Sequence, residues 1–121
     1  VNLDQLDRCW PWLVAALKRT GVKHHTYASL RSDLLAGRAM LWPSEHGAVV
    51  TECVIEPDAR VVRCWLGGGD MKAILAMVPG IEAWGRAMGC NVASVEGRKG
   101  WERVFRPLGY VRVGDELRRG L

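Results

Sequence analysis

The chain has 121 residues, 49% of them hydrophobic, which is enough for one domain with a genuine core over residues 1–121. No apolar run approaches the roughly 20 residues needed to span a bilayer. The opening Val1-Asn2-Leu3-Asp4-Gln5 has neither the basic nor the apolar stretch of a secretory signal, so neither membrane insertion nor secretion through a signal peptide is expected.

The first helix is written in Leu3, Leu6, Trp10, Leu13 and Leu17, which recur at spacings of three and four. Pro11 has no N–H to donate, so a kink or a restart is expected there, and Gly21 is the expected stop. Thr26 is a candidate N-cap for a second helix with Tyr27, Leu30 and Leu34 on its apolar side, closed by Gly37. Arg38 to Trp42 reads as a short strand before Pro43. Gly47 to Ile55 and Val61 to Leu66 read as a hairpin around Pro57-Asp58-Ala59-Arg60. With Glu56 opposite Val61, one face is mostly apolar (Thr51, Cys53, Ile55, Val62, Cys64, Leu66) and Glu52, Glu56 and Arg63 point the other way.

Gly67-Gly68-Gly69-Asp70 leads into a long helix from about Met71 to Met88, with Met71, Ile74, Leu75, Val78, Ile81, Trp84 and Met88 as its buried stripe. Pro79-Gly80 interrupts the pattern, predicting a kink or two abutting helices. Asn91 to Glu96 reads as a strand, Gly100 to Leu108 as a short helix and Tyr110 to Val113 as a strand. A Gly114-Asp115 turn then leads into a final extended segment.

The four cysteines, Cys9, Cys53, Cys64 and Cys90, show no C-x-x-C spacing, and His24, His25 and His46 do not complete a ligand set. Reduced, buried thiols and no metal are expected, with Cys53 and Cys64 as core neighbours. The net charge of +4 is uneven: residues 1–97 are neutral, and the excess lies in Arg98, Lys99, Arg103, Arg106, Arg112, Arg118 and Arg119. Such an edge suits phosphate, nucleic acid or an acidic protein, and equally a solvated face. Six tryptophans, Trp101 at the start of the basic helix among them, suit either core gaps or the centre of a protein interface.

The order helix, helix, three antiparallel strands, glycine turn, long helix, strand, short helix, strand resembles the GNAT N-acetyltransferase fold. Ile81-Glu82-Ala83-Trp84-Gly85-Arg86-Ala87-Met88-Gly89-Cys90 looks like the end of that family's central helix, and Leu108-Gly109-Tyr110 like its Leu-Gly-Phe. The resemblance implies an α/β (α+β) fold with a mostly antiparallel mixed sheet flanked by helices. It also implies a coenzyme A pyrophosphate site at Gly67, Gly68, Gly69, Asp70, Met71 and Lys72, where small residues open a helix. The family pattern of Arg or Gln, two residues, Gly, one residue, Gly or Ala is not met: Arg63 stands four residues before Gly67, and Asp70 adds a negative charge. Gly-Gly-Gly-Asp is also an ordinary strand-to-helix connection with Asp as cap.

The family's general acid, often a Tyr in the short helix, falls on Phe105; Glu52 and Glu56 are the candidate bases. Gly97-Arg98-Lys99-Gly100-Trp101-Glu102-Arg103-Val104 looks most like small GNAT-like proteins of tailed bacteriophages. The resemblance therefore implies a catalytically degenerate, tail- or virion-associated component without cofactor, in the virion or the host cytoplasm. It would assemble or bind protein partners through Trp101, Arg98, Lys99, Arg103 and Arg106. The alternative is an acetyl-CoA-dependent N-acetyltransferase with a divergent glycine loop.

Overall fold

The computed structural model describes residues 3–20, 25–96 and 99–121. In chain order the elements are α1 (Leu3–Thr20), α2 (Tyr27–Leu35), β1 (Met40–Pro43), β2 (Gly47–Glu56), β3 (Ala59–Gly69), α3 (Met71–Ala87), β4 (Val92–Val95), α4 (Lys99–Phe105) with a 3-10 turn at Arg106–Leu108, β5 (Val111–Val113) and β6 (Glu116–Gly120). The strands form one six-stranded mixed sheet in the order β1-β2-β3-β4-β6-β5. β4 runs parallel to β3 after the α3 crossover, whereas β1–β2, β4–β6 and β5–β6 are antiparallel. The mixed α/β class and the element order are those read from the sequence. Among the described residues no helix is long and apolar enough to cross a membrane.

Two compact units divide the chain, Val1–Thr51 with Leu66–Val78 and Glu52–Trp65 with Pro79–Leu121. β2, β3 and α3 contribute residues to both. In the first unit, α1 buries Leu6, Cys9, Leu13, Ala16 and Leu17. It runs through Pro11 as one helix, which leaves out the restart of the two alternatives, a kink or a restart, while Gly21 lies outside the described residues. α2 starts on a reciprocal cap: Ser29 N donates to Thr26 Oγ1 (3.1 Å) and Thr26 N to Ser29 Oγ (2.8 Å). At its far end Gly37, at φ +76°, donates its N–H back to Leu34 O.

In the second unit, α3 is a single helix through Pro79, not two abutting ones. Its buried positions in this part are Ile81, Glu82 and Gly85; Met88 lies past the helix end and is 51% exposed, against its expected place in the stripe. Gly85 is there because a Cβ would come within 2.7 Å of Val62 Cγ1, so helix and strand meet closer than any side chain allows. The hairpin turn is tighter than expected. It closes on Pro57-Asp58 alone, and β3 begins at Ala59. Ile55, beside that turn, is 78% exposed and does not join the apolar face.

Candidate functional site

The three glycines of the suspected phosphate turn are the last residues of β3 rather than a loop. Gly68 is buried, and a Cβ on it would sit 2.3 Å from Trp12 O of α1. Gly69 has φ +98°, and its Cβ would lie 2.5 Å from His46 O. Both glycines thus answer to packing within the first unit: α1 crosses at Gly68, and the chain entering β2 crosses at Gly69.

The amides beyond them are partly committed. Asp70 N donates to His46 O (2.8 Å), and Lys72 N donates to Asp70 Oδ1 (3.0 Å). Asp70 is therefore the cap of α3, and its carboxylate stands where a helix N-terminus would otherwise receive an anion.

Glu52 and Glu56, the candidate bases, lie in the second unit in a network of opposite charges. Arg118 holds Glu56 through two hydrogen bonds (2.9 and 2.6 Å) and Glu116 at 3.3 Å. Arg63 reaches Glu52 (3.8 Å), Glu56 (3.8 Å), Glu96 (3.7 Å) and Glu116 (3.3 Å). Ser94 Oγ donates to Glu116 Oε1 (2.7 Å). The face Glu52–Glu56–Arg63 read from the hairpin alternation is thus formed, and β4 and β6 complete it.

The Arg118 hydrogen bonds hold the Glu56 carboxyl below its usual range. Burial pushes Glu116 upward, but the bonds from Ser94 and Arg118 outweigh it and leave that carboxyl low as well. Glu96 goes the other way, raised by burial and by the charges of Glu116 and Glu52 against the pull of Arg63.

A second charged group is buried on α3. Glu82 is 5% exposed; it accepts from Tyr110 Oη at 2.7 Å and from Arg119 Nη1 at 2.9 and 3.0 Å. Burial first, and this hydrogen bond second, raise the Tyr110 hydroxyl far above its ordinary value of 10.0. Phe105 is buried edge-on against Tyr110 (5.3 Å, 80°) and lies under Trp101 (5.8 Å, 12°). Trp101, half-buried, thus caps an aromatic stack as well as opening the basic helix. Arg103 is exposed, Arg106 pairs with Glu102 (3.2 Å), and Glu102 also faces Arg112 (3.5 Å). Arg98 and the side chain of Lys99 lie outside the described residues. No group of three or more potential metal ligands occurs among the described residues.

No protein-family model matches the chain, and no curated protein matches it in sequence. Among solved structures it is similar to an acetyltransferase of the GNAT family from Listeria monocytogenes, with a TM-score of 0.66 over 100% of this chain and 91% of that one, at 11% identity. The fold is that of a GNAT acetyltransferase. At so low an identity the likeness reaches the fold alone.

The positions where the sequence resemblance looked for catalytic groups have these surroundings. The Phe105 ring is core. Tyr110, whose ring packs on it, has its Oη turned to a buried carboxylate. Glu56 is tied to Arg118 by its own hydrogen bonds. The Glu82–Tyr110–Arg119 group had no sequence signal of its own. Glu82 stood outside the apolar stripe read for the helix, and its partners stand 28 and 37 residues away.

Proposed function

We propose that this chain is a GNAT-fold protein without efficient acetyl transfer that acts through its surfaces, as an assembling or partner-binding component of a tailed phage. The observation that carries the first part is Asp70. Its carboxylate caps α3 and its own amide is spent on His46 O, so the turn offers a diphosphate fewer donors and a like charge. Support for action through surfaces comes from the far end of the chain. The edge strand β5 exposes Val111 (60%) and Val113 (53%), and the basic residues Arg103 and Arg106 belong to the neighbouring segment. The phage setting rests on the resemblance of the Gly97–Val104 segment.

The second reading, an acetyl-CoA-dependent N-acetyltransferase, has one observation in its favour. β3 makes its last pair with β4 at Cys64–Val95 and runs on to Gly69, leaving five residues of strand beyond that pairing. Titration calorimetry with acetyl-CoA separates the two. Silence at millimolar ligand supports the surface role; a dissociation constant in the micromolar range establishes the coenzyme site and removes the first reading. Native mass measurement tests the other half, because an assembling component forms a multimer, and a lone monomer counts against it.

A further inference from the structure

The Cys53 and Cys90 sulfurs lie 3.9 Å apart in the second unit, both reduced and 37 residues apart in the chain. Their surroundings are unequal. Cys53, on β2, is the exposed cysteine of the four, whereas Cys90 is 6% exposed and Cys9 0%. Cys90 is also held in place by its backbone. Its N–H donates to Gly85 O (2.8 Å), closing α3, and the next residue is tied to β3 in both directions, Asn91 N to Arg60 O and Arg60 N to Asn91 Oδ1, each 2.9 Å. A disulfide needs about 2.05 Å between sulfurs, so the two sulfurs are in contact but not bonded, and a bond requires them to move together.

We propose that Cys53 is a thiol-modification site, with Cys90 as its resolving thiol, and that an oxidised small-molecule disulfide converts the pair into an intramolecular Cys53–Cys90 bond. The Cys53 thiolate attacks the reagent's S–S bond, forming a mixed disulfide and releasing one reagent thiol. Cys90, as thiolate, then attacks the Cys53 sulfur of the mixed disulfide and expels the second. The two protein thiols are oxidised, one reagent disulfide is reduced to two thiols, and the two protons end on those thiols.

The first step is slow at neutral pH. Although the residue is exposed, its sulfur is part-buried against Cys90, and that partial burial and the Cys90 thiol push the Cys53 thiol up to about 11, with Arg60 opposing and Glu52 adding. The pair is thus quiet in ordinary buffer and responds as thiolate is supplied. Cys64 does not compete, since burial pushes its thiol up to about 12.

The test incubates the intact protein with oxidised glutathione at several pH values and reads it by intact mass, thiol titration and peptide mapping. The expected product has lost two of its four thiols and two hydrogens, carries a Cys53–Cys90 linked peptide, and melts above the reduced form because a long loop is closed. Its rate of formation rises about tenfold per pH unit below about 11. Cys90→Ser is expected to stop at a stable glutathione adduct on Cys53. Cys53→Ser, a change at an exposed position, should leave the remaining thiols unreacted on the same timescale. A different linked pair, disulfide-bonded dimers, or a mixed disulfide that persists on Cys53 in the unsubstituted protein each overturns the proposal. So does survival of all four thiols under conditions that modify an unstructured cysteine peptide.

Discussion

Two carboxylates attend one helix and do opposite things. Asp70, just ahead of α3, is exposed and caps the helix with a single hydrogen bond to Lys72 N. Glu82, inside α3, is 5% exposed and takes three hydrogen bonds from Tyr110 and Arg119. The sequence pattern drew the eye to Asp70, where chemistry was sought, and passed over Glu82. An exposed acid can be replaced with small effect, because water substitutes for it. A buried acid with dedicated partners cannot, because its removal strands them.

That contrast is sharpest in the largest expected effect. Glu82→Ala should cost about 3 kcal/mol in a urea melt, toward the lower end for a broken buried pair because Arg119 stays partly solvated. Tyr110→Phe should cost about 1–2 kcal/mol. pH separates the two roles as well. The Tyr110 hydroxyl ionises less readily when folded than at its unfolded value of 10.0, so its contribution is intact below pH 10 and fades as pH climbs past it. Alkaline unfolding should therefore begin above pH 10 and be blunted in Tyr110→Phe. A Glu82→Ala protein that melts within a few tenths of a kcal/mol of the parent would erase the distinction.

A second comparison lies between glycines. Gly68→Ala drives a Cβ to 2.3 Å from the Trp12 carbonyl oxygen, a backbone atom that cannot swing away, and should cost about 1–3 kcal/mol or more. Gly100→Ala, in α4 with nothing within 4 Å, should stabilise by up to about 1 kcal/mol through helix propensity. Equal and small effects at both sites would mean that Gly68 is not set by the approach of α1.

These pairs also show what could be read in advance. The Thr26 cap, the Gly37 stop, the hairpin and the charged face of Glu52, Glu56 and Arg63 were legible because their causes lie within a few residues or in strict alternation. Gly68 announced itself only as a glycine; that Trp12 O lies over it is a fact about a helix 56 residues away. Met88 was misplaced because α3 stops one residue before it, at Ala87, and Glu82 and Gly85 were missed because burial by pairing or by close approach does not look apolar. Cys53, read as a core neighbour of Cys64, is exposed, and its sulfur lies 3.9 Å from that of Cys90.

Smaller effects should come from the part-buried charge network around Arg118. Glu56 and Glu116 titrate below their unfolded value of 4.5, so what they contribute is present above pH 4.5 and lost as pH falls beneath it. Glu96, raised instead, opposes them and gains by taking a proton. Arg118→Ala should flatten the loss of melting temperature between pH 5 and the acid limit, since the hydrogen bonds that keep both carboxyls low are gone. Glu96→Gln should raise the melting temperature slightly at neutral pH. An acid limb unchanged by Arg118→Ala would show that the network adds nothing to the fold.

The smallest expected change in stability is that of Asp70→Ser, and it bears most on function. Asp70→Ala removes the cap and should cost about 1 kcal/mol, whereas Asp70→Ser keeps a capping oxygen and should stay within a few tenths of the parent. The serine variant therefore removes the charge without disturbing the helix, so calorimetry with acetyl-CoA on that variant isolates the charge. Because Asp70 N remains spent on His46 O, only part of the anion cradle is restored, and heat from the variant is expected to be weak at most, against none from the parent. Binding by both proteins alike would place the coenzyme beyond the reach of this carboxylate and return the chain to the acetyltransferases. Binding by the variant alone would locate in one side chain the barrier between this scaffold and a diphosphate.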